Sequence, residues 1–181
     1  MSMEHKAFVF DFEAFVQQLS NTLEKASLNN TNKNIISFIN NNIVLLKHPD
    51  EGGAIDDYWE EILEEIKDVH NYGDIAITKF YDPDKDIGLG YDWQDIENIL
   101  SCELLVDPGD IILGQKFGPI DNRFNPGRIS SSFQSLEQVK LNMQLLQNLV
   151  EQKPKLSIAL ADLLSMLQKA IDSQTGLYIT F

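Results

Sequence analysis

At 181 residues, with 43% apolar and 23% charged residues, the chain has the length and composition of one folded globular domain. No apolar run exceeds four residues, against the roughly 20 that a membrane span needs, and the start Met1-Ser2-Met3-Glu4-His5-Lys6 lacks an apolar leader, so a soluble cytoplasmic protein without a membrane partner is expected. A formal charge of −14 disfavours nonspecific nucleic-acid binding, which needs cations to displace counterions from phosphates.

Phe8, Phe12, Phe15, Leu19 and Leu23 recur at helical spacing and predict a first amphipathic helix. The polar loop Asn29-Asn30-Thr31-Asn32 separates it from a second helix carrying Ile35, Ile36, Ile39, Ile43 and Leu46, which ends before Pro49. Ile55, Trp59, Ile62, Ile66 and Val69 predict a third helix that stops near Tyr72 and Gly73. The segment Ile75 to Tyr81 is short and rich in β-branched and aromatic residues, the signature of a strand. Asp92 opens a short helix to about Leu100, and Asp107-Pro108-Gly109-Asp110 reads as a turn joining Leu104-Leu105-Val106 to Ile111-Ile112-Leu113 in a hairpin. Ser135 and Gln138 make a capping box for a fourth long helix, Pro154 opens a fifth, and Gly176 ends it before a terminal strand, Leu177 to Phe181. The expected architecture is a helix-rich α+β fold in a single domain, 1–181, with about five main helices and a small antiparallel sheet.

The acidity is concentrated. Residues 51–110 hold 18 acids against 3 lysines, while residues 111–181 hold 5 acids against 7 basic groups. On the predicted third helix Asp56, Glu60, Glu64 and Asp68 repeat every four residues beside a second row, Asp57, Glu61 and Glu65. Such like-charged pairs each cost roughly 0.2 to 0.5 kcal/mol, which a solvated face tolerates and a docking face can use. The partner-binding residues expected on this reading are Asp57, Glu60, Glu61, Glu64, Glu65 and Asp68, facing a basic protein.

Two further stretches have chemical potential. Asp82, Asp84 and Asp86 alternate as in the start of a Ca²⁺ loop, although Ile87 stands where that loop needs glycine and Trp93 where it needs glutamate. The loop 114–133 contains the only two arginines, Arg123 and Arg128, together with Ser130, a set suited to an anion or to pinning the loop onto the chain's own carboxylates. Catalytic residues are not indicated: GxSxG, HExxH and phosphate-loop motifs are absent, and His5, His48 and His70 lie in unrelated contexts. Cys102, the sole cysteine, excludes an intramolecular disulfide. In size and charge the chain resembles bacterial immunity and inhibitor proteins, whose carboxylates occupy basic sites on toxins. The expected function is accordingly a non-enzymatic acidic docking module of that type. The alternative is a small-molecule or phosphate-ester binding protein or enzyme built on the arginine loop 114–133.

Overall fold

The computed structural model describes residues 3–56, 58–63, 68–118, 121, 123 and 131–181. A three-stranded antiparallel sheet organises the helices around it. Strands β1 (Lys6–Phe10), β2 (Ser132–Gln134) and β3 (Gly176–Thr180) stand in the order β1-β3-β2. Phe8 pairs with Tyr178 on one side of β3 and Phe133 pairs with Tyr178 on the other. Because successive strand residues point to opposite faces, Phe8, Phe10, Phe133 and Tyr178 enter one hydrophobic core, while Ala7, Leu177 and Ile179 enter another.

The outer edges of the sheet are covered. Residues His5 and Gly90 exchange backbone hydrogen bonds, Ile87 N donates to Ala7 O, and Asp86 Oδ1 accepts from Ala7 N at 3.0 Å. On the far side Gln115 and Phe133 exchange amide and carbonyl bonds. These contacts leave few open donors on which another chain could template.

Strand β1 corrects the first predicted helix. Phe8 fits a helical stripe, but Phe8 and Phe10 also alternate, and β3 supplies the distant partner that decides between the two periods. Asp11 starts the helix instead, its carboxylate accepting from Ala14 N. Helix α1 (Phe12–Phe15) runs through a π-helical stretch (Val16–Ser20) into α2 (Asn21–Asn29), and Phe15, Leu19 and Leu23 remain buried along it. Helix α3 (Lys33–Asn42) matches the second predicted helix.

The third predicted helix divides. Trp59–Ile62 forms a short 3₁₀ turn, Leu63 is extended, and helix α4 (Val69–Ile77) begins only after Asp68, whose carboxylate accepts from His70 N and Asn71 N. The predicted strand 75–81 is the end of α4 followed by a 3₁₀ turn, Thr78–Phe80. Tyr72 to Ile77 are buried consecutively, so the C-terminal half of this helix has no exposed face, and its short apolar run Ile75-Ala76-Ile77 mimics a strand in sequence. The predicted hairpin at 104–113 is also replaced. Asp107 caps helix α6 (Pro108–Ile112) with Pro108 in its first turn, so the Asp-Pro pair starts a helix where a reversal was expected.

Helix α5 (Trp93–Glu103) follows its predicted position. Ser135 Oγ accepts from Gln138 N at the start of α7 (Leu136–Gln152), one half of the expected capping box, while the Gln138 side chain donates to Asn142 Oδ1. Pro154 opens a short 3₁₀ turn, and α8 (Ala161–Asp172) follows it. Among the described residues no helix is long and apolar enough to cross a membrane.

Candidate functional site

The acidic segment builds a groove. Lys47 and Ala54 form an antiparallel bridge, and His48 N donates to Gly53 O, closing a tight turn around Asp50 and Glu51. His48 Nδ1 accepts from the amides of Asp50 and Glu51, so the neutral ring keeps its proton on Nε2. Beyond the turn, Asp56 Oδ1 accepts from Tyr58 N at 2.8 Å, and Trp59 is anchored through its indole N–H to Asn40 Oδ1 at 2.9 Å. Trp59 also meets Tyr72 edge to face at 5.9 Å, so its ring is fixed while the neighbouring Tyr58 ring stands 71% exposed.

Between these two stretches lies an open cleft of about 560 Å³, lined by Glu51, Asp56 and Glu61 with His48, Tyr58 and Trp59. Among the described residues neither lysine nor arginine lines it. Among the described residues none of its three carboxylates makes an ion pair, and Glu60 is exposed beside it. Of the docking residues expected from sequence, Glu61 lines the cleft and Glu60 precedes it in the same 3₁₀ turn. Asp68 does not act as a free acid on a helix face; it caps α4. Asp57, Glu64 and Glu65 lie outside the described residues. The two unbroken rows of carboxylates end where Leu63 turns extended. Glu51 and Asp56 are contributions that charge spacing did not single out as docking residues, since Glu51 reaches the cleft only through the turn at His48.

The alternating aspartates are engaged within the fold, Asp82 and Asp84 beside Lys47 and Asp86 on backbone amides. Asp82 Oδ1 lies 2.6 Å from Lys47 Nζ and its Oδ2 3.3 Å from Lys85 Nζ, and the Lys47 bond leads the effects holding its carboxyl below the ordinary range. Asp84 is 3.9 Å from Lys47, while Asp86 Oδ1 accepts from Ala7 N and Gly88 N and so ties this loop to β1. Among the described residues no group of three or more His, Cys, Asp or Glu side chains is arranged to hold a metal ion.

In the arginine loop, Arg123 Nη1 donates to Gly118 O at 2.8 Å, bracing the chain segment that precedes it. Arg128 and Ser130 lie outside the described residues. Ser131 is buried, its hydroxyl 3.2 Å from that of Tyr178.

The most perturbed acid was not a sequence candidate. Asp74 on α4 is buried, with Oδ1 lacking a hydrogen-bond partner, and burial pushes its carboxyl up to about 7. Burial likewise raises Tyr81, helped by the nearby Tyr178 hydroxyl and the Asp74 carboxylate. A lone acid inside the apolar run Tyr72 to Ile77 was the available signal. His5 is also buried, with Nε2 against Ile112 O and Nδ1 accepting from Leu89 N, and its burial lowers the ring's affinity for a second proton. Both groups serve the interior and open onto none of the clefts described here. Compared with known proteins, the chain matches no family model, no curated protein and no solved structure.

Proposed function

We propose that this chain is a non-enzymatic docking module of the inhibitor or immunity kind, which seats a basic protein on the cleft formed by Glu51, Asp56, Tyr58 and Glu61. One observation carries the reading: a carboxylate-lined cleft with an exposed aromatic ring and, among its described lining residues, neither lysine nor arginine. Three acids close together repel one another, and an arriving lysine or arginine relieves that repulsion. The Tyr58 ring offers the same cation a π face, worth roughly 0.5 to 1 kcal/mol at an exposed site. The net charge of residues 51–110 extends the attraction beyond contact and speeds encounter. It also repels phosphates, so a cationic protein fits this surface and a nucleic acid does not. A cytoplasmic setting goes with the proposal, since Cys102 is an exposed free thiol of the kind that reducing compartments preserve.

The test is capture of a basic partner from native host lysate, then association kinetics with the purified pair. Replacing Glu51, Asp56, Glu60 and Glu61 by glutamine is expected to slow association about tenfold at low salt and to flatten its salt dependence. All four side chains are exposed, so the variant should retain the native fold, checked by its melting curve. A partner that binds both proteins at the same rate with the same salt response ends the proposal.

A further inference from the structure

The outer edge of β1 is closed on either side of one residue, Val9. In an antiparallel ladder a residue directs its N–H and C=O to the same side, and successive residues alternate. His5 and Ala7 direct theirs away from β3, where Gly90, Ile87 and Asp86 take them up. Val9, which pairs with Leu177, follows in the same phase, and beyond it Asp11 N donates to Phe80 O. Among the described residues no hydrogen bond takes up the N–H or the C=O of Val9.

Residues 80–87 explain the gap. They run antiparallel to β1, from Phe80 at Asp11 to Ile87 at Ala7, and are more numerous than the stretch of β1 they face. The surplus arches away from Val9. Pro83 has no N–H to give, and the amides of Asp84 and Lys85 turn inward to Asp82, to its Oδ1 at 3.3 Å and its carbonyl at 3.0 Å. Lys47 and Lys85 hold the Asp82 carboxylate and fix the arch. A half-buried strand residue is thus left with a donor and an acceptor side by side, groups that folded chains rarely leave unanswered.

A cleft of about 470 Å³ lies at this position. Val9 and Ile87 give it an apolar floor, the arch contributes Asp82 and Lys85, and the end of α8 contributes Lys169, Asp172 and Ser173. Its acids are already engaged: Asp82 by the two lysines, and Asp172 by Gln168 Nε2 at 2.7 Å. Among the described residues Lys169 makes no ion pair. The cleft therefore brings one ammonium beside one peptide donor and one peptide acceptor.

We propose that this cleft binds a small N-acyl-α-amino acid with an aliphatic side chain. Its N–H donates to Val9 O, one carboxylate oxygen accepts from Val9 N, the other meets the Lys169 ammonium, and its side chain rests on Val9 and Ile87. Such a molecule presents donor and acceptor to one side as a strand residue does, and so adds one rung to the ladder. The contacts at Ala7 and Asp11 limit the ligand to a single residue. The volume lies in the range of small-molecule sites, roughly 300 to 1,000 Å³. This site is independent of the acidic cleft and stands or falls separately from it.

The probe is N-acetylvaline, titrated into the ¹⁵N-labelled full chain and followed by amide shifts and hydrogen exchange. In the free protein the Val9 amide is expected to exchange at least about a hundredfold faster than those of Phe8 and Phe10, which face β3. N-acetylvaline is expected to give saturable shifts at Val9, Ile87, Lys169 and Ser173 with a Kd below about 10 mM, and to slow Val9 exchange at least about tenfold. The neutral N-acetylvalinamide, the N-methylated acid, and N-acetylvaline on Lys169→Gln are each expected to bind at least about fivefold more weakly. Lys169 is exposed, so that variant keeps the fold, verified by unchanged amide positions elsewhere. Ala-Ala-Val, extended at its amino end, is expected to bind no more tightly than N-acetylvaline. Overturning results are a Val9 amide as protected in the free protein as its neighbours, shifts that do not saturate or map elsewhere, equal affinity for the acid, its N-methyl form and Lys169→Gln, or tighter binding of the tripeptide.

Discussion

The two faces of the sheet support cores of different chemistry. On one side Phe8, Phe10, Phe15, Phe80, Tyr81, Phe133 and Tyr178 form a continuous group of rings, with centroids 4.9 to 6.4 Å apart in their contacts along the sheet. On the other side the filling is aliphatic, with Leu146, Leu160, Leu163, Met166 and Leu167 against Leu177 and Ile179. The aromatic side also encloses polar atoms, among them the Asp74 carboxylate and the Tyr178 and Ser131 hydroxyls, and the acidic cleft borders it through Trp59. The aliphatic side, with methionines that adapt to irregular space, does not border that cleft.

Truncation is the most severe way to probe that division. Phe10→Ala is expected to cost about 4 kcal/mol and Leu167→Ala about 3 kcal/mol in urea denaturation, because rings close over a void less readily than Leu and Met do. Equal losses would remove the distinction. Gly114→Ala is expected to cost about 2 kcal/mol, since a Cβ there meets Phe133 O at 2.6 Å in a backbone region unfavourable to alanine. An unchanged melting temperature would mean that the backbone at Gly114 moves freely.

Asp74 gives an effect of opposite sign. Its carboxyl sits near 7 in the fold against 3.8 unfolded, so the native state holds the proton more tightly. The resulting stability is fully present below about pH 4, declines as pH rises to about 7, and is absent above, at roughly 1.4 kcal/mol per unit. Asp74→Asn is therefore expected to raise stability at pH 8 by about 2 kcal/mol, after the cost of burying an amide without a full set of partners. It should also flatten the curve between pH 4 and 7. His5 works the other way: its lowered proton affinity costs stability as pH falls below about 6.5, and the Asp74→Asn profile should expose that limb alone. A profile identical to wild type would mean that Asp74 is not desolvated as described. The smallest effect concerns the exposed rim, where Lys47→Met is expected to change stability by no more than about 1 kcal/mol, since its bond to Asp82 is partly solvated.

Elements governed by neighbours in sequence were legible from it. Helices α3, α5 and α7 follow their apolar spacing, and Ser135 and Gly176 mark the boundaries expected of them. Elements governed by distant partners were not. Phe8 satisfies two periods, and only β3, far along the chain, selects the strand. Burial on every side erased the helical signature of α4, and the Asp-Pro pair before α6 serves helix starts and turns alike. The sites divide the same way. Glu61 was visible as charge, but Glu51 reaches the cleft only through the turn that His48 and Gly53 close, which no charge spacing announces.

The position of β3 has a consequence for how the protein is made. Ala7 pairs with Ile179 across most of the chain's length. At roughly 5 to 20 residues per second on a ribosome, β1 waits about 10 to 30 s for the strand that completes it. During that interval Phe8 and Phe10 have no sheet to join, and the nascent chain presents an unpaired, ring-bearing segment to the cell.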